Sequence, residues 1–253
     1  MRIAIAAGIA VGAFASGGAF AVEVAVEVAV MSGGAVKSAF SDAAASWQRK
    51  SGNTVNATYA PAGDLRKKIA AGERADILII PVENFAALDS AIDVSTRRDL
   101  AGVSIGAAVR QGAPVPDIST AEKLKAVLLS VKSLTYMDPE RGTSGKHVDE
   151  TVLPRLGIRD AVRAKATLGE GGYIAEKVAR GEVELAIHSV TEIAPVAGVT
   201  IIGLLPPELQ KTTIYSGVVM KGAKNPKEAE ALLDYLASPE GRKAFLDRGY
   251  SAP

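Results

Sequence analysis

The residues best suited to chemistry fall in three short segments of small and hydroxyl side chains. They are Met31–Ala35, Ala60–Gly63 and the run Asp138–Gly145, DPERGTSG. Each follows a stretch with strand character and precedes one with helical spacing. Such a loop gathers the unpaired N–H groups of a helix's first turn at the positive end of its dipole. It can hold an anion without any lysine. The small residues let a ligand reach the backbone, and Ser32, Thr143 and Ser144 add hydroxyl donors. Arg141 could grip a carboxylate with two bonds, whereas Lys146 and His147 read equally well as a solvated loop. His188 stands near the carboxyl end of an apolar strand, aimed at the same place. The expected ligand-binding set is therefore Ser32, Gly33, Gly34, Ala35, Ala62, Gly63, Arg141, Thr143, Ser144 and His188.

Catalytic patterns are missing. Gly142-Thr143-Ser144-Gly145-Lys146 resembles a phosphate loop, but the position that must be the first glycine of that loop is Glu140. There is no G-x-S-x-G elbow and no H-E-x-x-H. A Ser/His/Asp triad can be assembled from scattered residues in almost any chain, so it carries no signal. With no cysteine and two histidines, His147 and His188, no metal site is expected. The residues read as a binding protein without metal or cofactor. A secreted enzyme and a sensory receptor on the same scaffold are the alternatives.

These loops need elements to hold them. Val22–Val30 alternates as a strand, and Ala35–Lys50 carries Val36, Phe40, Ala43 and Trp47 on one helical face. Asn53–Tyr59 reads as a strand, Leu65–Ala71 as a helix, and Ile77–Ile80 as a strand buried on both faces. Strand, helix and strand in series with short loops imply right-handed crossovers and a parallel sheet. A second series follows: strand Val103–Val109, helix Thr120–Leu129, strand Leu134–Tyr136, helix Lys146–Leu156, helix Tyr173–Arg180 and strand Glu184–His188. Strands Val199–Leu204 and Thr212–Met220 and helices Pro226–Ala237 and Pro239–Arg248 close the chain. The expected fold is α/β with two lobes and parallel-type sheets. Residues 22–104 with 203–253 form lobe 1, and residues 105–202 form lobe 2. The crossings fall near Val103–Gly106 and Val199–Gly203, and the ligand lies in the cleft beyond the strand ends.

Composition narrows the setting. The chain carries 29 basic and 28 acidic residues, and Arg2 belongs to an expected export leader, so the remainder is neutral. A neutral chain gives no electrostatic case for nucleic acid or an anionic membrane. Met1–Ala21 has one charge, an apolar run and the small-residue site Ala19-Phe20-Ala21, which places the new N-terminus at Val22. Without cysteine there is neither a disulfide nor an acyl-anchored N-terminus, so a freely diffusing periplasmic protein is expected.

Several stretches together resemble a known family. They are Val28–Phe40 (VAVMSGGAVKSAF), Gly63–Pro81, Leu134–Gly145 and Asn225–Pro253, including Gly72-Glu73-Arg74-Ala75-Asp76 and the closing S-P-E-G-x-x-x-F at Ser238–Phe245. The chain resembles a type II periplasmic solute-binding protein of ABC transporters, close to the molybdate-binding branch. The resemblance implies a small anionic ligand, a membrane permease as partner and a monomer. In that branch a tetrahedral dianion is held by loop serines, backbone N–H groups and a tyrosine. The first serine falls near Ala35, the second-loop serines on Pro61-Ala62-Gly63, a backbone donor near Ser144, and the tyrosine near Ser189 beside His188. The resemblance thereby adds Ser189 to the expected ligand-binding set. The hydroxyls are largely absent here, with Ser32 as a substitute. Glycines in their place imply a larger pocket, so a molybdate- or tungstate-like oxyanion and a small di- or tricarboxylate both remain.

Overall fold

The computed structural model describes residues 25–253. The expected leader and its cleavage site lie outside the described residues. Strand β1 (Glu27–Ser32) leads through a short 3-10 turn into helix α1 (Lys37–Ser51). Phe40, Ala43, Ala44 and Trp47 of α1 are buried, as the helical spacing predicts. Gly52 ends the helix at φ 76°, where its amide bonds to the Gln48 carbonyl, a left-handed cap that suits glycine. Strand β2 (Thr54–Tyr59), helix α2 (Ala62–Ala70) and strand β3 (Ile77–Pro81) follow. Asp76 is buried just before β3, accepting the Ala29 amide at 2.9 Å and the Asn225 amide at 2.9 Å. It ties β1 and the start of a C-terminal helix to one side chain.

The next strand, β4 (Ile92–Val103), passes through Ser104 directly into β5 (Ile105–Arg110) of the other sheet. Lobe 2 then adds α3 (Ala121–Ser130), β6 (Leu134–Met137), α4 (Thr143–His147), α5 (Leu153–Leu156), α6 (Arg159–Arg163), β7 (Ala166–Gly169), α7 (Glu176–Ala179), β8 (Leu185–Ser189), α8 (Val190–Ile193) and β9 (Val199–Leu204). Strand β10 (Thr213–Met220) and helices α9 (Pro226–Ala237) and α10 (Pro239–Leu246) return to lobe 1. The stretch Val199–Gly203, expected to cross between lobes, is instead strand β9 paired to β5. The return crossing lies in the segment between Leu204 and Thr213.

The two sheets share one plan. Their orders are β2-β1-β3-β10-β4 and β7-β6-β8-β5-β9. Three parallel strands stand on one side of each sheet. The parallel-type sheets expected from the sequence are mixed: β10 and β5 each run antiparallel to both neighbours. Each of these is the strand that borders a crossing. Four apolar clusters cover the two faces of the two sheets, so each lobe has its own core. No helix among the described residues is long and apolar enough to cross a membrane.

The crossings are tied together. Gln210 accepts the Ile105 amide at 3.0 Å and donates to the Ile105 carbonyl at 2.7 Å. Ser104 Oγ lies 3.3 Å from Thr212 Oγ1. The C-terminal tail adds a two-way bridge between Gly102 and Ser251.

Candidate functional site: a cleft between the lobes

A cavity of about 460 Å3 lies between the lobes at the carboxyl ends of β1, β6 and β8. Gly33, Gly34 and Ala35 line it from the first loop and Ala62 from the second. Arg141, Thr143 and Ser144 line it from the third loop, and His188 and Ser189 from the end of β8. Two expected residues do not reach it. Ser32 is fully buried and donates its hydroxyl to the Gly33 carbonyl at 3.1 Å, so it cannot replace a missing loop serine. Gly63 gives its amide to the Arg141 carbonyl of lobe 2 at 2.8 Å, so a donor expected for the ligand joins the lobes instead.

Arg141 is also engaged differently from the expectation. Its Nε and Nη2 both donate to Asp64 Oδ2, at 3.0 and 2.7 Å. Asp64 lies in the first turn of α2, so this ion pair spans the cleft. Lys146 and His147 do not line the cavity: His147 Nε2 bonds to the Leu209 carbonyl at 2.8 Å.

The glycines of the first loop serve other side chains. A Cβ on Gly33 would stand 2.8 Å from Tyr215 Cε1, and one on Gly34 would stand 2.6 Å from Glu192 Oε1. The missing methyls therefore do not widen the pocket, as the sequence implied. They admit a tyrosine from β10 and a carboxyl from α8. Burial, reinforced by the charges of Glu192 and Glu83, holds the Tyr215 phenol well above its ordinary value. It stays a neutral hydroxyl at the cavity wall.

The polar centre of the wall is a line of three side chains from lobe 2. Ser144 Oγ lies 3.1 Å from His188 Nδ1, and His188 Nε2 lies 3.1 Å from Glu192 Oε2. The second contact is off the axis of the ring nitrogen, so Nε2 is buried without a hydrogen-bond partner. His188 is 2% exposed and Glu192 7%. Sequence reasoning placed Ser144 and His188 here but missed Glu192, whose one trace was its place four residues after His188.

It also missed Lys37. This residue opens α1, lines the cavity, and sets its ammonium 5.3 Å from the Tyr59 ring centre and 5.9 Å from that of Tyr173. Of the other ionisable side chains on the wall, Arg141 is paired with Asp64, and His188 stands beside Glu192. Lys37 is in no ion pair among the described residues, which leaves it the free cation of the cavity.

The profile of the family described as bacterial extracellular solute-binding protein matches residues 28–251. The chain belongs to that family. This solute-binding protein is 33% identical over 227 residues to the aconitate isomerase of a Pseudomonas species, covering 87% of this chain and 86% of the relative. It is 27% identical over 231 residues to the molybdate-binding protein ModA of Escherichia coli, covering 89% of each. The periplasmic molybdate-binding protein of Azotobacter vinelandii has the same fold, with a TM-score of 0.74 at 17% identity over 89% of this chain and 99% of that one. The type II, molybdate-binder-like scaffold expected from the sequence is thus the one present.

Proposed function

We propose that this solute-binding protein works in the periplasm, closes on a small organic polycarboxylate, and presents the closed form to an ABC transporter permease. One observation carries the choice of ligand. The first two loops offer no hydroxyl to the cavity, and an imidazole and a carboxyl occupy the wall beside Ser189, where the resemblance places the tyrosine that helps hold a tetrahedral dianion. The remaining donors are spread out: Lys37 on lobe 1, and Thr143, Ser144 and Ser189 on lobe 2. That spacing suits several carboxylates on one carbon chain better than one compact oxyanion. The relative named aconitate isomerase supports the same ligand class.

A second reading is favoured by the Ser144–His188–Glu192 line. A buried imidazole held at one nitrogen and free of a hydrogen bond at the other is suited to moving protons, so the same cleft would isomerise its acid as well as hold it.

Thermal denaturation against a ligand panel tests the first reading. A ligand that binds only the folded state adds about 2.7 kcal/mol at a hundredfold excess over Kd. Tricarballylate, citrate and aconitate are expected to raise Tm, with molybdate, tungstate and sulfate without effect. A rise with molybdate or tungstate alone would sink the carboxylate reading and restore the oxyanion.

A further inference from the structure

We propose that Ser144, His188 and Glu192 form a preassembled proton-transfer site, with His188 as the group that takes a proton from carbon and returns it to carbon. The proposal rests on the polycarboxylate reading above and assigns the chemistry of that site to residues.

A histidine that merely fills space has both nitrogens satisfied or wet. In His188, Nδ1 is engaged by the Ser144 hydroxyl, while Nε2 is buried and has no hydrogen bond. In the tautomer that donates Nδ1–H to Ser144 Oγ, Nε2 carries a lone pair. Glu192 Oε2 lies 3.1 Å from that nitrogen but off its axis. It therefore does not block the lone pair, yet stands close enough to stabilise the ring once it becomes cationic. The three residues come from α4, β8 and α8, all in lobe 2, so their arrangement does not depend on closure. Closure brings the other half: Lys37, Tyr215 and the glycine loop of lobe 1. One lobe carries the proton-moving groups, and the other carries the cation that anchors a carboxylate.

The reaction that fits is a shift of a double bond in an unsaturated polycarboxylate. Nε2 takes a proton from a methylene that stands between a carboxylate group and a C=C bond. The C–H bond breaks and an N–H bond forms, and the C–H electron pair spreads over the allylic carbons into the adjoining carboxylate. The former double bond loses order and can rotate. The imidazolium then returns its proton to the other allylic carbon: the N–H bond breaks, a C–H bond forms, and the double bond has moved. Atoms and electrons balance without any co-reactant.

The test uses the folded chain in D2O with two probes. Tricarballylate is saturated and reports binding alone by calorimetry; trans-aconitate reports exchange and isomerisation by proton NMR. The wild type is expected to bind tricarballylate and to place deuterium in trans-aconitate as its cis isomer appears. At saturating probe, His188→Gln is expected to slow exchange by about 10²–10⁴-fold, the usual worth of a positioned base. Ser144→Ala, which frees the tautomer, is expected to slow it less and to change its pH profile. Should His188→Gln not fold, the Ser144→Ala and Glu192→Gln profiles carry the test. Binding of tricarballylate without exchange by the wild type overturns the proton-transfer site and leaves the polycarboxylate reading standing. Binding of neither probe overturns that reading itself. Undiminished exchange in His188→Gln overturns the role of His188.

Discussion

At the scale of residues, the first loop shows what a glycine can be for. Gly33 and Gly34 touch the cavity, but what they accommodate is the Tyr215 ring and the Glu192 carboxyl. A methyl on Gly34 would push Glu192 Oε1 away from a site it shares with His188. Gly34→Ala is therefore expected to destabilise the protein by about 1 kcal/mol, the low end for overpacking because the displaced atom ends a flexible side chain. In a Glu192→Ala background the same change should cost less than about 0.5 kcal/mol, since the clash is gone. Urea melts of the four proteins of that cycle measure the coupling. Equal cost in both backgrounds would mean that Gly34 is needed for its backbone alone. The same residues show where sequence reading stopped. Ser144, His188 and the loop glycines stand in motifs of small or rare residues, and so were visible. Glu192, Lys37 and Tyr215 look like ordinary surface or strand residues until the fold places them on one wall.

At the scale of elements, local pattern and tertiary context divide the same way. α1 was legible because its apolar face repeats without interruption over Phe40, Ala43 and Trp47. β4 was not, because Asp93, Arg97, Arg98 and Asp99 break its alternation. It is an edge strand paired to β10 alone, with irregular register, and edges tolerate charge. The direction of β10 was also hidden, since it depends on a crossing that no local pattern records. The segment read as one helix over Lys146–Leu156 is α4 and α5 joined by a π-helical turn, Val148–Val152. In that turn Asp149 is fully buried. Burial pushes its carboxyl upward, but bonds from Arg163 at 2.6 Å, Arg159 at 2.6 Å and the Tyr136 hydroxyl at 3.0 Å outweigh this and hold it at about 2. Tyr136, buried against that carboxylate, is pushed up to about 12. A carboxyl lowered in the folded state stabilises above its ordinary range and loses that contribution as pH falls toward its folded value. Asp149→Asn is therefore expected to lower the unfolding free energy by about 2–3 kcal/mol at pH 7. The gap from wild type should narrow between about pH 4 and pH 2. A gap that stayed constant with pH would assign the loss to packing and not to charge.

At the scale of the whole molecule, two copies of one sheet plan face each other, each completed by the antiparallel strand beside a crossing. Among the described residues two thin connections join them, between β4 and β5 and between β9 and β10, so the proposed ligand binding would be coupled to lobe closure. The contact between the lobes combines backbone and side-chain groups. The Gly63 amide meets the Arg141 carbonyl, Asp64 holds the Arg141 guanidinium, and Thr191 donates to the Ala35 carbonyl at 2.8 Å. A Cβ on Gly63 would collide with the Glu140 carbonyl and stand 2.9 Å from that of Arg141. These are backbone atoms that cannot swing aside, so the lobes themselves must part. Gly63→Ala should leave each core intact and lower the closed fraction, and apparent affinity falls in proportion to that fraction. A loss of about tenfold corresponds to about 1.4 kcal/mol taken from the closed state. Asp64→Asn, which weakens a partly buried pair, should reduce affinity by about two- to fivefold, and less at high salt. Small-angle scattering with and without tricarballylate separates closure from contact. The wild type is expected to contract on binding, and Gly63→Ala to keep the larger radius at concentrations that close the wild type. Full contraction of Gly63→Ala at wild-type concentrations would show that the second loop yields locally, and closure would then have to be governed elsewhere, at the Thr191–Ala35 contact.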